Sequence, residues 1–183
     1  MTKNCCTCGC EENREKEVRV LYLYLDLKSC SRCIGTDTVL DEVMELLGPV
    51  LQMAGYKVFY EKIEIETEEM GNSYKFVSSP TIRVNGRDIC HTVLENSCDC
   101  CSDISGSDVN CRVFEYKGEK FEVPPKEMLA EAVLTKVFDQ NQEGCISSED
   151  VCMHQKYEMP ENLKEFFKGK KSRSGCCSGG NCC

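Results

Sequence analysis

Tryptophan is absent from the 183 residues, and histidine occurs only twice, as His91 and His154. So little imidazole leaves poor material for a Ser-His-Asp type hydrolase, since a lone histidine is more often a surface or satisfied residue than a base or ligand. Neither a P-loop nor a G-x-G-x-x-G stretch is present, which removes the two common phosphate-cradling loops. Long apolar runs are missing as well: Val20 to Leu25 falls far short of the roughly 20 residues that cross a bilayer. The segment from Met1 to Glu17 contains no apolar stretch that a translocon would recognise. Positive charge is outnumbered, with 22 Lys and Arg against 31 Asp and Glu and a net charge of −9. Such a balance repels nucleic-acid phosphates and anionic membrane surfaces. Lys168 to Arg173, the only basic cluster, reads as a solvated segment. A soluble, cytoplasmic protein is expected, with neither a nucleic-acid nor a membrane partner.

What the chain has instead is cysteine, 17 in all. In the reducing cytosol thiols stay reduced, so this density points to metal binding or redox exchange rather than a disulfide framework. Cys5, Cys6, Cys8 and Cys10 occupy a polar head, residues 1–17. Cys30 and Cys33 form a C-x-x-C. Cys90, Cys98, Cys100, Cys101 and Cys111 lie in a mid-chain insert, residues 90–112, within a domain spanning residues 18–138. Cys145 and Cys152 follow the domain, and Cys176, Cys177, Cys182 and Cys183 close a tail, residues 139–183.

Val18 to Leu27 is β-branched, aromatic and leucine-rich, and reads as a buried strand. From Val39 to Ala54 apolar residues recur at helical spacing, with Val39, Leu40, Val43, Leu46, Leu47, Val50 and Leu51 on the inward face. Gly48-Pro49 is expected to kink or break that helix. Val58 to Ile65 is a second strand, and a short helix is expected over Glu68 to Phe76. Asn85-Gly86 and Lys117-Gly118 mark two hairpins, and Pro124-Pro125 introduces a helix using Leu129, Ala132, Val133 and Val137 or Phe138. Pro160 to Phe167 forms a short amphipathic helix through Leu163, Phe166 and Phe167, with Gly169 to Cys183 disordered. Strands alternating with helices predict an α/β layered fold with mixed sheet pairing.

A cysteine just before a helix is stabilised as thiolate by the free N–H groups and dipole of the first turn, which suits Cys30 for attack on a disulfide or capture of a soft ion. The alternative is a helix that starts at Thr36 or Thr38. Both sulfurs would then lie on a loop, an equally good metal knuckle. In the insert, Cys98-x-x-Cys101 with Cys111, and Cys90, Cys100 or His91 as a fourth group, match a tetrahedral zinc site, with a structural disulfide as competitor. The head and tail cysteines, Cys5, Cys6, Cys8, Cys10, Cys176, Cys177, Cys182 and Cys183, sit among small flexible residues and suit Cu(I), Hg(II), Cd(II) or trivalent arsenic.

A strand entering Cys30-Ser-Arg-Cys33, a helix behind it, and Ser79-Pro80-Thr81 entering a later strand resemble the thioredoxin-like superfamily over roughly Val18 to Phe138. More narrowly, Glu95-Asn-Ser-Cys98-Asp-Cys-Cys101 and Cys111-Arg112 ahead of Phe114-Glu-Tyr-Lys-Gly118 resemble a prokaryotic thioredoxin-like family known as a domain of unknown function. The resemblance implies a mixed sheet of four or five strands flanked by helices and a cis Ser79–Pro80 bond facing the cysteines. It makes Cys30 an exposed attacking sulfur and Cys33 the resolving one, with Arg32 favouring ionisation and Ser79 and Pro80 holding a partner peptide. The implied activity is thiol-disulfide exchange with a protein disulfide or small thiol, needing no cofactor. The alternative is non-enzymatic binding of Zn or another soft metal or metalloid ion. The residues around Cys30 depart from the superfamily's best-known motif, with no Trp before it and no Pro between the cysteines.

Overall fold

The computed structural model describes residues 16–138 and 157–174. Its elements run β1 (Lys16–Tyr24), α1 (Ser31–Met53), β2 (Tyr56–Glu64), α2 (Glu68–Ser73), β3 (Thr81–Val84), β4 (Arg87–Asp88), β5 (Leu94–Ser97), α3 (Asp99–Ser105), β6 (Asn110–Tyr116), β7 (Glu119–Phe121), α4 (Lys126–Phe138) and α5 (Glu161–Ser174). The fold is α/β. A four-stranded mixed sheet has the order β2-β1-β3-β4, with β1 and β2 parallel and the other pairs antiparallel. A second, antiparallel sheet has the order β5-β6-β7.

Strand β1 organises both cores because its side chains alternate faces. Val18, Val20 and Tyr22 point to a core shared with Leu40, Val43 and Leu51 of α1 and Met128, Leu129 and Val133 of α4. Leu23 lies in a second core, with Leu25, Ile65 and Phe76, the buried cysteines, and Leu163, Phe166 and Phe167 of α5. Both hairpin turns follow their dipeptides: Asn85 and Gly86 have φ of 51° and 80°, and Lys117 and Gly118 have 52° and 83°. These left-handed values give the twist a tight hairpin needs.

Three expectations are corrected. Helix α1 runs through Pro49 to Met53. Pro49 and Glu45, whose carbonyl loses its donor, are both exposed, so water supplies the missing partner. Leu46 and Val50 face solvent, at 71% and 50% exposure, and Met44 takes an inward place. At the other end, α5 continues past Gly169 to Ser174. Its last turns are held because Gly169 abuts the Ser105 carbonyl, where a Cβ would collide, and because Arg173 donates to the Asp103 carbonyl of α3. Among the described residues no helix is long and apolar enough to cross a membrane.

Because α5 seals the second core with fully buried aromatic side chains, Phe166→Ala is expected to lower unfolding free energy by about 3–5 kcal/mol. Met53→Ala, at a side chain 81% exposed, is expected to change it by less than about 0.5 kcal/mol. Urea denaturation followed by circular dichroism checks both.

Candidate functional site: a buried cluster of thiols

The chain leaves β1 through a loop folded around one carboxylate. Asp26 Oδ2 accepts hydrogen bonds from the backbone N–H groups of Lys28 (3.0 Å), Ser29 (2.6 Å) and Cys30 (3.1 Å) and from the Ser29 hydroxyl (2.9 Å). Burial works against the charge on Asp26, but the bonds from Ser29, Cys30 and Lys28 outweigh it and hold the carboxyl below its ordinary range. The turn delivers Cys30 as the N-cap of α1, with Cys33 in the first turn. The alternative start at Thr36 or Thr38 is thereby corrected: Asp26 closes the preceding loop early enough for the helix to begin at Ser31.

The insert repeats the arrangement. Cys98 is the N-cap of α3, and Cys101 lies in its first turn. Neither N-cap makes a side-chain capping bond, and both helices start at a cysteine of the cluster, which places the positive ends of their dipoles beside it. Cys111 arrives from β6, opposite Asn96 of β5. The sulfurs of Cys30, Cys98 and Cys101 all lie within 4.8 Å of one another. Cys101 Sγ is 3.8 Å from Cys30 Sγ and 3.3 Å from Cys111 Sγ. Cys30, Cys33, Cys101 and Cys111 are fully buried and Cys98 is 2% exposed.

Around the cluster the chain is stitched tightly. Ser79 Oγ accepts the Leu25 N–H at 3.1 Å and lies 3.4 Å from Cys33 Sγ, while the Ser79 carbonyl accepts the Arg112 N–H at 2.7 Å. The Ser79–Pro80 peptide is cis. Tyr22 donates its hydroxyl proton to the Cys33 carbonyl at 2.7 Å. Arg32 is buried and donates to Asn96 Oδ1 (2.5 Å), the Ser97 carbonyl (2.6 Å), the Cys111 carbonyl (3.3 Å) and Glu122 Oε1 (2.5 Å). Arg112, also buried, grips Asp88 with both terminal nitrogens, at 2.9 and 2.8 Å.

The acidities follow from this crowding. Thiols of Cys101, Cys111, Cys33 and Cys98 donate toward Cys30 and hold it far below the ordinary thiol range. Cys33 is driven up by its bond to Cys30 and by burial, and Cys101 by its bonds to Cys111, Cys30 and Cys98 and by burial. Cys98 is pushed down to about 7, chiefly by Cys101 and Cys111. The crowding thus favours the thiolate form at Cys30 and Cys98 and the thiol form at Cys33 and Cys101.

Several expected roles change. Cys30 is not an exposed sulfur, because the insert and α5 cover it. Arg32 faces carbonyls and Glu122 and ties α1 to the insert, so it offers no charge to a substrate. Ser79 does not present a free carbonyl to a partner peptide, because strand β6 of the same chain takes it. Cys90 lies in the other core, its N–H bonded to Asp88 Oδ1 at 2.9 Å, and His91 is exposed. Cys100 is half-buried at the rim, 3.8 Å from Ser31 Oγ. The seven described cysteines are all free thiols in the structure. Cys5, Cys6, Cys8, Cys10, Cys145, Cys152, Cys176, Cys177, Cys182, Cys183 and His154 lie outside the described residues.

The family model described as "Domain of unknown function (DUF2703)" matches residues 17–133, well over half of the chain. The chain belongs to this family. The DUF2703 match takes in every cysteine of the buried cluster and ends before α5, the helix that covers it. No curated protein and no solved structure matches the chain.

Sequence reasoning missed Asp26, although an aspartate three residues before a serine at the end of an apolar strand is an Asx-turn signal. It also missed that Cys30 joins the insert sulfurs; nothing in local spacing reports a contact across 71 positions. Two outcomes follow for the reduced, ion-free protein. Native thiol labelling is expected to modify Cys90 and Cys100 among the seven described cysteines and to spare the other five until unfolding. Thiolate absorbance is expected at about pH 5–6, to be lost in Cys30→Ser, and to rise further through about pH 7 as Cys98 ionises.

Proposed function

We propose that this protein binds a thiophilic ion, a divalent d10 cation such as Zn(II) or Cd(II) or a trivalent metalloid, through the sulfurs of Cys30, Cys98, Cys101 and Cys111. The observation that carries this reading is the spacing of buried sulfurs. Tetrahedral Zn–S bonds of about 2.3 Å put neighbouring sulfurs about 3.8 Å apart, and Cys30 and Cys101 stand at 3.8 Å. A sulfur-only donor set selects soft ions. The apolar surroundings exclude water, and the two helix N-termini offset part of the negative charge of the thiolates. The thioredoxin-like layout supports a division of labour within Cys30-x-x-Cys33: Cys30 turns to the ion, and Cys33 stays beside Ser79. The head and tail cysteines fit capture of the same class of ion, which the cluster then holds in a reducing, cytoplasmic setting.

Thiol-disulfide exchange is the second reading. It is supported by the placement of Cys30 and Cys33 at the start of α1, the cis Ser79–Pro80 peptide beside Cys33, and the opposite acidities of the two thiols. Burial weighs against a protein disulfide as substrate, since β6 already holds the Ser79 carbonyl.

The test uses the full chain with the ten cysteines outside the described residues changed to serine, reduced and purified without oxygen. The metal reading expects one Zn(II) or Cd(II) per chain, with affinity falling by about 100-fold or more in Cys30→Ser, Cys98→Ser or Cys101→Ser, since ligand loss exceeds the usual effect of outer partners. Cys33→Ser is expected to bind as well as its parent. Absence of bound ion, together with disulfide reductase activity that needs Cys33, would reverse the ranking.

A further inference from the structure

The buried sulfurs create a problem of access. The four proposed ligands show between 0 and 2% of their surface, so no ion reaches them by diffusion to an open face. A cleft on the surface does not solve this. It lies between α2 and α5, is lined by lysines and glutamates with Phe167 and Thr67, and reaches no cysteine among the described residues. Cys90 is a half-buried thiol, but it belongs to the other core beside Asp88. Among the described cysteines only Cys100 is both partly exposed and packed against the core that holds the cluster.

Its position is specific. Cys100 lies in the first turn of α3, between Cys98 and Cys101, and its sulfur rests 3.8 Å from the hydroxyl of exposed Ser31, the residue after Cys30. The Cys100–Ser31 contact thus bridges the starts of α1 and α3, the two helix ends that close over the cluster. It is a weak sulfur-oxygen contact, easily parted, whereas the other ties between α1 and the insert are the charged Arg32 bonds and the buried Cys30–Cys101 contact.

We propose that Cys100 is the entry ligand of the site, the thiol that first takes a soft ion from a low-molecular-weight thiol carrier and passes it to Cys98 and Cys101. The inference rests on the thiophilic-ion reading. In the first step the metal–sulfur bond to the carrier breaks and a bond to Cys100 Sγ forms, while the Cys100 proton leaves with the carrier as free thiol. In the second step cluster sulfurs replace Cys100 and any remaining carrier thiolate on the ion, and the protons the cluster thiols give up leave on Cys100 and on the departing carrier thiols. No electrons change hands, and the ion stays bound to sulfur throughout, avoiding a desolvated free cation.

The experiment follows Cd(II) loading from a glutathione complex by stopped-flow thiolate-to-metal absorbance, using the full chain with its ten outer cysteines changed to serine. Cys100→Ser is expected to slow loading by about tenfold or more while final absorbance, stoichiometry and affinity stay unchanged. Cys90→Ser is expected to load at the parent rate, and Cys100→Ala guards against an effect peculiar to serine. An unchanged rate in both Cys100 variants would overturn the proposal. So would loss of final absorbance by one sulfur's share, which would make Cys100 a resident ligand. Failure of the parent to bind Cd(II) at all would instead remove the underlying reading.

Discussion

Ordered thiols with almost no exposed surface are held by the convergence of two helix N-termini on one small volume. Each helix begins just after the first cysteine of a C-x-x-C, so each sets the positive end of its dipole beside the same group of sulfurs. The other contacts make that approach stable. Asp26 fixes where α1 starts, Arg32 ties α1 to the β5 and β6 backbone, and the Ser79 carbonyl receives β6. Helix α5 then covers the apolar side with Leu163, Phe166 and Phe167. Remove the convergence, and Arg32 loses its acceptors on Asn96, Ser97 and Cys111.

Much of the scaffold could be read from local chemistry. The β-branched, aromatic and leucine-rich run of β1, Asn85-Gly86 and Lys117-Gly118 each state a structure within a few residues, and the chain adopts it. Pro49 was harder, since helix interruption depends on whether its orphaned carbonyl meets water, and that depends on which face of α1 is outward. The site was legible in fragments. Spacing groups Cys98, Cys101 and Cys111, and it sets Cys30 beside Cys33. Their union depends on Arg32 and Ser79 reaching residues far along the chain, which no window of sequence reports. The demotion of Cys90 and Cys100 has the same origin: sequence proximity placed them with the ligands, but Asp88 draws one away and the first turn of α3 turns the other to the rim.

The arrangement also sets one motif between two groups of sulfurs. Cys30 is common to both. Facing Cys33 it is half of a dithiol, and facing Cys98, Cys101 and Cys111 it is one corner of a sulfur cage. The cage partners set its charge, because their thiols donate toward it. Cys33 keeps its proton beside Ser79 Oγ. Exchange with a large disulfide would require β6 to leave Ser79 and Arg32 to leave Asn96 and Ser97, whereas an ion needs no such rearrangement of the backbone.

X-ray absorption at the zinc edge, on the full chain with its ten outer cysteines replaced and loaded with one ion, tests the central claim most directly. The account predicts a shell of sulfur alone at about 2.3 Å and the loss of one sulfur from that shell in Cys30→Ser. A shell containing nitrogen or oxygen in the parent, or a sulfur count unchanged by Cys30→Ser, would contradict it.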